Sequence, residues 1–208
     1  GINDGFTCLS NVTRGGTIPL FIPGLGTGAG MVASADYTGD GNADVLVVAG
    51  NGDLRIRTGN GQGVFAPATT ALGLWGGTRR HVTHGDFNGD NKADVLAARV
   101  DGTLEFFAGN GAGGFAVGRA IGNGWYGLLH VVSGADFTGD GKQDVIGVSA
   151  SGVMTLYEGN GSGGFTGRTT LIGSGWQGFQ YIVAGDFDND GRGDLMAASD
   201  TGSLYFYR

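Results

Sequence analysis

The sequence has one cysteine, three prolines and no long apolar run, and each shortage excludes a class of protein. Cys8 stands alone, so no disulfide within the chain holds the fold. It is either a buried thiol or the partner of a cysteine outside these residues. No stretch of about 18 or more apolar residues occurs, so we expect no membrane insertion. The first ten residues lack a basic segment followed by an apolar one, so we expect no signal peptide, which leaves the compartment open.

Basic residues are also scarce. The chain has 12 Lys and Arg against 19 Asp and Glu, a formal charge of −7, which argues against nucleic acid as a partner. Thirteen of the acids fall in four short loops rather than over the whole sequence. The negative charge is therefore typical of metal sites, and bound divalent cations would offset it.

Glycine, in contrast, is abundant. The chain has 46 glycines without a Gly-X-Y register, which excludes collagen. A hydrophobic fraction of 40%, with 10% aromatic residues, is too high for a disordered chain. No segment shows a 3.6-residue period, so we expect almost no helix and many short strands joined by tight turns.

One segment recurs four times at a constant step of 50 residues. It reads DYTGDGNAD, DFNGDNKAD, DFTGDGKQD and DFDNDGRGD, beginning at Asp36, Asp86, Asp136 and Asp186. In the third copy the local signals predict strands over 130–137, 144–150, 153–159 and 165–173, with a Ser-Gly turn between the second and the third. Four antiparallel strands in a repeat of this length predict an all-β protein, a β-propeller with four four-stranded blades of 50 residues.

The two ends of the sequence suggest how the ring closes. The last copy stops after its third strand, and TIPLFI at 17–22 stands where a fourth strand belongs. We therefore expect the N-terminal strand to complete the last blade, with 1–16 as an extension and 17–208 as a single propeller domain. A solenoid or open arc of four sheets, and a larger ring formed by two chains, remain alternatives.

The acidic segments have the ligands of calcium loops, with side-chain oxygens at positions 1, 3, 5 and 9 and a backbone carbonyl at position 7. Gly or Asn at position 6 permits the sharp turn. We expect about four Ca²⁺ ions, one in each repeat. The predicted ligands are Asp36, Thr38, Asp40, Asn42 and Asp44; Asp86, Asn88, Asp90, Lys92 and Asp94; Asp136, Thr138, Asp140, Lys142 and Asp144; and Asp186, Asp188, Asp190, Arg192 and Asp194.

The competing interpretation is a set of turns in which aspartates only accept hydrogen bonds from backbone amides. Four copies in register, each with at least three carboxylates, favour a cation, because the carboxylates otherwise repel one another. The metal is expected to be structural, since zinc would require Cys or His ligands.

The acidic loop, the GNGxGxF segments and the blade length together resemble FG-GAP/VCBS repeats, over about residues 17–208. Such repeats form integrin α-chain propellers, Psathyrella-type fungal lectins and modules of secreted bacterial proteins, to which the IGNGW and IGSGW copies are most similar. The resemblance implies a calcium-binding propeller that is secreted or extracellular. Family propellers more often have more than four blades, which leaves the ring size open.

Three tryptophans, Trp75, Trp125 and Trp176, occupy the same loop between blades and have polar neighbours. An amphipathic aromatic side chain beside hydrogen-bonding groups suits a sugar, and the resemblance to lectins, whose sugar sites lie between blades, favours the same interpretation. The residues predicted to bind carbohydrate are Trp75, Arg80, Trp125, Tyr126, His130, Trp176, Gln177 and Gln180. Packing between blades is the alternative role of the tryptophans.

No catalytic motif was found. His81, His84 and His130 do not recur at equivalent sequence positions, and no HExxH, CxxC or GxSxG motif occurs. We therefore expect a binding module rather than an enzyme, with a glycan or polysaccharide as its partner. The alternative is a scaffold that docks another protein or a fused domain without binding sugar.

Overall fold

Short antiparallel strands form four separate sheets in the computed structural model, which describes residues 30–49, 51, 53–67, 69–72 and 79–208. Each sheet is a meander in which neighbours in sequence are neighbours in space. The sheets are called blades 1 to 4 in chain order. The strands are β1 (Gly30–Ala35), β2 (Asp44–Val48), β3 (Leu54–Arg57) and β4 (Thr69–Leu72); β5 (Arg79–Gly85), β6 (Asp94–Arg99), β7 (Leu104–Phe107) and β8 (Arg119–Gly122); β9 (Leu128–Ala135), β10 (Asp144–Ser149), β11 (Met154–Gly159) and β12 (Phe165–Gly173); and β13 (Phe179–Gly185), β14 (Asp194–Ser199) and β15 (Leu204–Tyr207).

The predicted fold is confirmed: the protein is an all-β propeller of four blades with almost no helix. The strands expected in the third copy correspond to β9 to β12 with ends that differ by at most two residues. At the expected Ser-Gly turn, Gly152 has a φ of 79° and donates its N–H to the carbonyl of Ser149 at 2.8 Å. Helix is limited, in the described part of the chain, to two 3₁₀ turns at Trp125–Gly127 and Trp176–Gly178. No helix in the described residues is long and apolar enough to cross a membrane.

The second and third strands of each blade contribute paired apolar side chains to its core. Apolar side chains face each other at the same step of the ladder in every blade, because the repeat preserves the register. The pairs are Leu46 with Ile56, Leu96 with Phe106, Ile146 with Leu156 and Met196 with Phe206. In blades 1 to 3 these side chains are at most 7% exposed.

Packing between neighbouring blades forms three buried clusters. One joins blades 1 and 2 through Leu46, Ile56 and Val95, and another joins blades 2 and 3 through Leu96, Phe106 and Val145. The third joins blades 3 and 4. Burial of a side chain of this size contributes about 1.5–3 kcal/mol, so these clusters are the main source of stability between sheets.

The first strands of the four blades line a central cavity of about 380 Å³. Its wall consists of residues from the first strand of every blade: Ala33 of β1, Val82–His84 of β5, His130–Ser133 of β9 and Gln180–Ala184 of β13. The first strands are therefore the innermost strands, which places the acidic loops on one rim of the ring and the tryptophan loops on the opposite rim.

Backbone hydrogen bonds also connect blades 2 and 3 to the acidic loop of the blade before them. Gly113, in the glycine run after β7, donates its N–H to the carbonyl of Tyr37 at 2.9 Å, and Gly163 does the same to Phe87 at 2.7 Å. Gly113 and Gly163 have φ values of 78° and 72°, which a residue with a side chain rarely adopts. The glycine runs are therefore contacts between blades as well as turns.

One face of blade 4, the equivalent of the face by which blade 2 packs on blade 3, is exposed in the described structure. Leu204 is 70% exposed and Phe206 is 45% exposed, whereas Leu104 and Phe106, at the same steps of blade 2, are 1% and 5% exposed. Within the described residues blade 4 has three strands. The segment predicted to supply its fourth strand, residues 17–22, lies outside the described residues, as does the predicted extension 1–16.

Candidate metal and ligand sites

Each acidic loop connects the first strand of a blade to the second and folds around its position-1 carboxylate. In loop 1 (residues 36–44), Asp36 accepts the N–H of Gly39 at 2.6 Å and that of Gly41 at 2.8 Å. These amides, with Gly41 the largest contributor, lower the pKa of the Asp36 carboxyl. Loops 2 (86–94), 3 (136–144) and 4 (186–194) have the same bond from the position-6 amide to the position-1 carboxylate.

Two backbone positions in every loop have a positive φ. Position 6 has φ values of 83°, 62°, 81° and 86° at Gly41, Asn91, Gly141 and Gly191, in agreement with the turn predicted there. Position 4 is also left-handed, at Gly39, Gly89, Gly139 and Asn189, with φ between 58° and 78°. The sequence analysis missed this second turn, although Gly or Asn occurs there in every copy.

The position-9 aspartate is the first residue of the second strand and is buried. Asp144 is 0% exposed; its Oδ2 accepts the N–H of Phe137 at 3.0 Å and its Oδ1 accepts that of Gly159 at 2.8 Å. Asp44 and Asp94 form the equivalent pairs of bonds. This aspartate therefore holds the loop against the third strand, a structural role that the sequence analysis did not assign.

The electrostatics of the buried aspartates are unfavourable in the absence of a cation. Burial, together with the neighbouring Asp90 and Asp86, raises the pKa of Asp94 to about 6. Burial, together with Asp136, also raises the pKa of Asp144. A divalent cation among these carboxylates would favour their ionised form.

Two further observations test whether the loops fit calcium. The hydroxyl oxygen of Thr38, at position 3 of loop 1, is buried without a hydrogen-bond partner, which suits an oxygen that is to bind a cation. In loop 4, Asp186, Asp188 and Asp194 have carboxylate oxygens that all lie within 4.8 Å of one another. The donors are all oxygen atoms, which is the set that calcium prefers. The loops therefore fit the predicted ion.

The tryptophan loops lie at the other rim, where one blade passes to the next. Trp125 and Trp176 are only 4% and 8% exposed. The Trp125 ring packs against Tyr157 at 4.6 Å between centroids, and Trp176 against Tyr207 at 4.7 Å. Each indole is thus a wedge between blades, and its buried faces leave little area on which a sugar could stack. Trp75 lies outside the described residues.

Exposed polar side chains adjoin these wedges. Tyr126 is 52% exposed, and Gln177 occupies the same position after Trp176 and is exposed too. Both side chains lie against the glycine of the preceding hairpin turn, Tyr126 against Gly102 and Gln177 against Gly152. A Cβ atom at either glycine would contact the side chain above it. Gln180 is exposed. It is the unpaired residue where the register between β13 and β14 shifts by one, and Arg80 is the unpaired residue at the same place between β5 and β6.

The structure changes the interpretation of the histidines. His81 pairs with Ala98 and His130 with Val148, residues that are 50 apart, so the two histidines are equivalent in the ladder. A bulge at Gly134, with a φ of 98°, adds one residue to β9 and hides this equivalence in the sequence. His130 is bonded to the backbone of blade 4 through its Nε2, 2.9 Å from the carbonyl oxygen of Phe179.

The central cavity contains the third histidine. Burial lowers the pKa of His84, and its ring packs edge-on against that of Tyr37. The hydroxyl of Ser133 donates to the main-chain carbonyl of His84 at 2.8 Å and is also bonded to the hydroxyl of Thr83. These bonds join blades 2 and 3.

Comparison with known proteins agrees with the geometry. A family model described as FG-GAP-like repeat matches residues 36–97, 86–146 and 136–197. Among curated proteins none matches. Among solved structures, a lectin from Agrocybe aegerita, described as recognising non-reducing terminal N-acetylglucosamine, is similar with a TM-score of 0.62 and 25% identity over 86% of this chain and 48% of its own. A structure of BBS1N in complex with ARL6DN has a TM-score of 0.45 and 11% identity over 84% of this chain and 53% of its own. The chain thus spans about half the length of the structures that it matches.

Proposed function

Because the chain belongs to the FG-GAP-like repeat family, we propose that it is a calcium-stabilised, secreted carbohydrate-binding module without catalytic activity. Its ligands are terminal N-acetylated sugars bound at the blade junctions. The observation that carries the proposal is the similarity to a lectin described as recognising terminal N-acetylglucosamine, which extends over 86% of the chain at 25% identity.

Calcium supports this function by holding the loops that connect the first and second strands. The unpartnered Thr38 hydroxyl and the close carboxylates of loop 4 favour a bound cation. Residues at positions 1, 3, 5 and 9 would supply side-chain oxygens, and position 7 its carbonyl. The ion neutralises clustered carboxylates and is structural. An extracellular location suits such loops, since oxygen-lined calcium loops are used in extracellular modules, where even weak sites are filled.

The sugar site lies beside the tryptophans rather than on them. At the junction of blades 2 and 3, Tyr126 provides an exposed ring with a hydroxyl at its tip. At the junction of blades 3 and 4, Gln177 and Gln180 provide amide groups. A sugar presents an apolar face and a hydroxyl edge, so an aromatic ring and amides suit it.

Two tyrosines add aromatic surface at the second of these junctions. Tyr205 and Tyr207 are stacked with their centroids 6.4 Å apart and are 45% and 37% exposed. Tyr207 also contacts Trp176. The two rings could cover the acetamido methyl group and one face of the pyranose ring of a bound sugar. The junction of blades 3 and 4 is therefore the stronger candidate for the sugar site.

Docking of another protein, or of a fused domain, is the second candidate function. The observation in its favour is the exposed apolar face of blade 4, which includes Leu204 and Phe206. A surface of this kind is typical of a protein contact.

A glycan array with the calcium-loaded protein tests the proposal. We expect selective binding of terminal N-acetylglucosamine or related N-acetylated sugars, and loss of binding by Tyr126→Ala or Gln177→Ala with an unchanged melting temperature. Val117→Ala, an exposed change on the outer edge of blade 2, is the matched control. If the wild-type protein binds no glycan on arrays or polysaccharides but captures a protein, the second candidate function replaces the first.

A further inference from the structure

The four acidic loops differ in how their position-5 carboxylate is used. In every loop the Oδ1 atom of this aspartate accepts the backbone N–H of position 7, at 2.8–3.1 Å. The Oδ2 atom is then the oxygen available to a cation. In loops 1 and 4, Asp40 and Asp190 have no described partner at Oδ2.

In loops 2 and 3 a lysine of the same loop occupies that oxygen. The Nζ of Lys142 lies 2.9 Å from Asp140 Oδ2, and the Nζ of Lys92 lies 3.4 Å from Asp90 Oδ2. Both lysines are at position 7, where loop 1 has Asn42, a neutral residue. Arg192 has this position in loop 4, but its guanidinium lies near Gly139 of loop 3 instead.

From this difference we propose that Lys92 and Lys142 are internal counter-cations that make loops 2 and 3 weak calcium sites, while loops 1 and 4 are the strong ones. The proposal rests on the proposed calcium binding and ranks the four loops. An ammonium group at the oxygen that a cation needs both competes for that oxygen and repels the ion. The same ammonium partly neutralises the loop when calcium is absent.

The net charges of the loops support this ranking. Loops 2 and 3 each have three carboxylates and one lysine, whereas loop 1 has three carboxylates and no basic residue. Loop 4 has four carboxylates and one basic residue, Arg192, so its net charge equals that of loop 1. Arg208 pairs at 3.1 Å with Asp188, at position 3 rather than position 5, and its side chain is 74% exposed, against 44% for Lys92 and 41% for Lys142, so water weakens this pair more. Loop 4 thus keeps an excess of negative charge that matches loop 1.

The strong loops belong to the first and the last blade. Buried clusters join blades 1 to 2, 2 to 3 and 3 to 4, and within the described ranges none joins blade 4 to blade 1. Calcium in loops 1 and 4 would therefore act on the two blades that, among the described residues, share a buried cluster with one neighbour each.

A matched series of isosteric variants tests the ranking: Asp40→Asn, Asp90→Asn, Asp140→Asn and Asp190→Asn, each melted with calcium and with EDTA. Calcium should raise the melting temperature of the wild type. We expect Asp40→Asn and Asp190→Asn to lose most of the part of this increase that their loop contributes, and Asp90→Asn and Asp140→Asn to lose little. Titration calorimetry of the wild type should resolve two stronger and two weaker sites.

Reciprocal variants test the lysines directly. Lys142→Met should strengthen calcium binding at one weak site by roughly tenfold and lower the melting temperature in EDTA. Asn42→Lys should weaken one strong site by a similar factor. Lys142→Arg is the control, which should keep the wild-type pattern. Four equal sites that neither variant changes would overturn the ranking but leave calcium binding intact. A wild-type protein that binds no calcium would overturn the proposed calcium binding itself.

Discussion

The imidazole of His130 is hydrogen-bonded through Nε2 to the carbonyl oxygen of Phe179, 2.9 Å away, and thereby fixes blade 3 to the first strand of blade 4. His81 makes the same bond, also 2.9 Å long, to the carbonyl of Leu128 in blade 3. Both acceptors directly follow a 3₁₀ turn that begins at a buried tryptophan. Histidine and tryptophan thus stabilise the same junction from opposite sides.

Replacing His130 by Leu should destabilise the protein by about 1–2 kcal/mol, because a carbonyl loses its donor and an inter-blade bond is lost. The free energy of unfolding by urea, measured in calcium, checks this value. His130→Gln should recover part of the stability because its amide can donate to the same carbonyl. Equal losses in both variants would show that packing, not the hydrogen bond, is the contribution of the imidazole.

Alanine substitutions of Trp125 and Tyr126 should affect different properties, the first stability and the second glycan binding. Trp125→Ala should cost about 3–5 kcal/mol, since it removes a large side chain that is 4% exposed. Tyr126→Ala should change the unfolding free energy by less than about 0.5 kcal/mol, since the ring is half exposed, and should reduce glycan binding.

Trp125→Phe is the useful intermediate for this pair, because it retains much of the packing volume. It should fold and keep any glycan binding that Tyr126 provides. A Trp125→Phe protein that is stable but has lost glycan binding would instead favour direct contact of the indole with the sugar.

Chelation should lower the melting temperature by many degrees, and added calcium should restore it. A cation that binds only the folded state stabilises it by about 2.7 kcal/mol per site at one hundred times its Kd. Differential scanning calorimetry in EDTA, calcium and magnesium measures the effect. A melting curve that is the same in all three solutions contradicts a structural role for the ion.

Deletion of residues 1–22 should cause dimerisation or aggregation, because the edge of β15 would lack the predicted fourth strand. Light scattering and size-exclusion chromatography measure the change. Deletion of residues 1–16 alone is the matched control and should leave a monomer. A monomeric 1–22 deletion with an unaltered melting point contradicts closure by the N-terminal strand.

The 50-residue period predicted the fold because it fixes the hydrophobic register of every blade at once. The Ser-Gly pair at 151–152 predicted the turn between β10 and β11, and these strands were placed to within two residues. Positive φ at Gly41 followed from the residue type. These features are local, so the sequence contains them directly.

The site was less predictable because its main features are contacts between blades. The burial of Trp125 depends on Tyr157, a residue of the next blade, and the bond of His130 depends on a backbone atom 49 residues away. The bulge at Gly134 adds one residue to β9, so the sequence spacing between His81 and His130 is 49 instead of 50. Their equivalence was therefore not visible in the sequence. The position of the Lys142 ammonium is a choice among rotamers, which composition and spacing do not determine.

The bond from Gly113 to Tyr37 and its copy from Gly163 to Phe87 join positions the same number of residues apart along the chain. A gene duplication that inserts one whole 50-residue unit would therefore create a new junction with the same donor and the same acceptor. For this hydrogen bond, an added blade would need no compensating substitution, because each repeat supplies the acceptor for the next one.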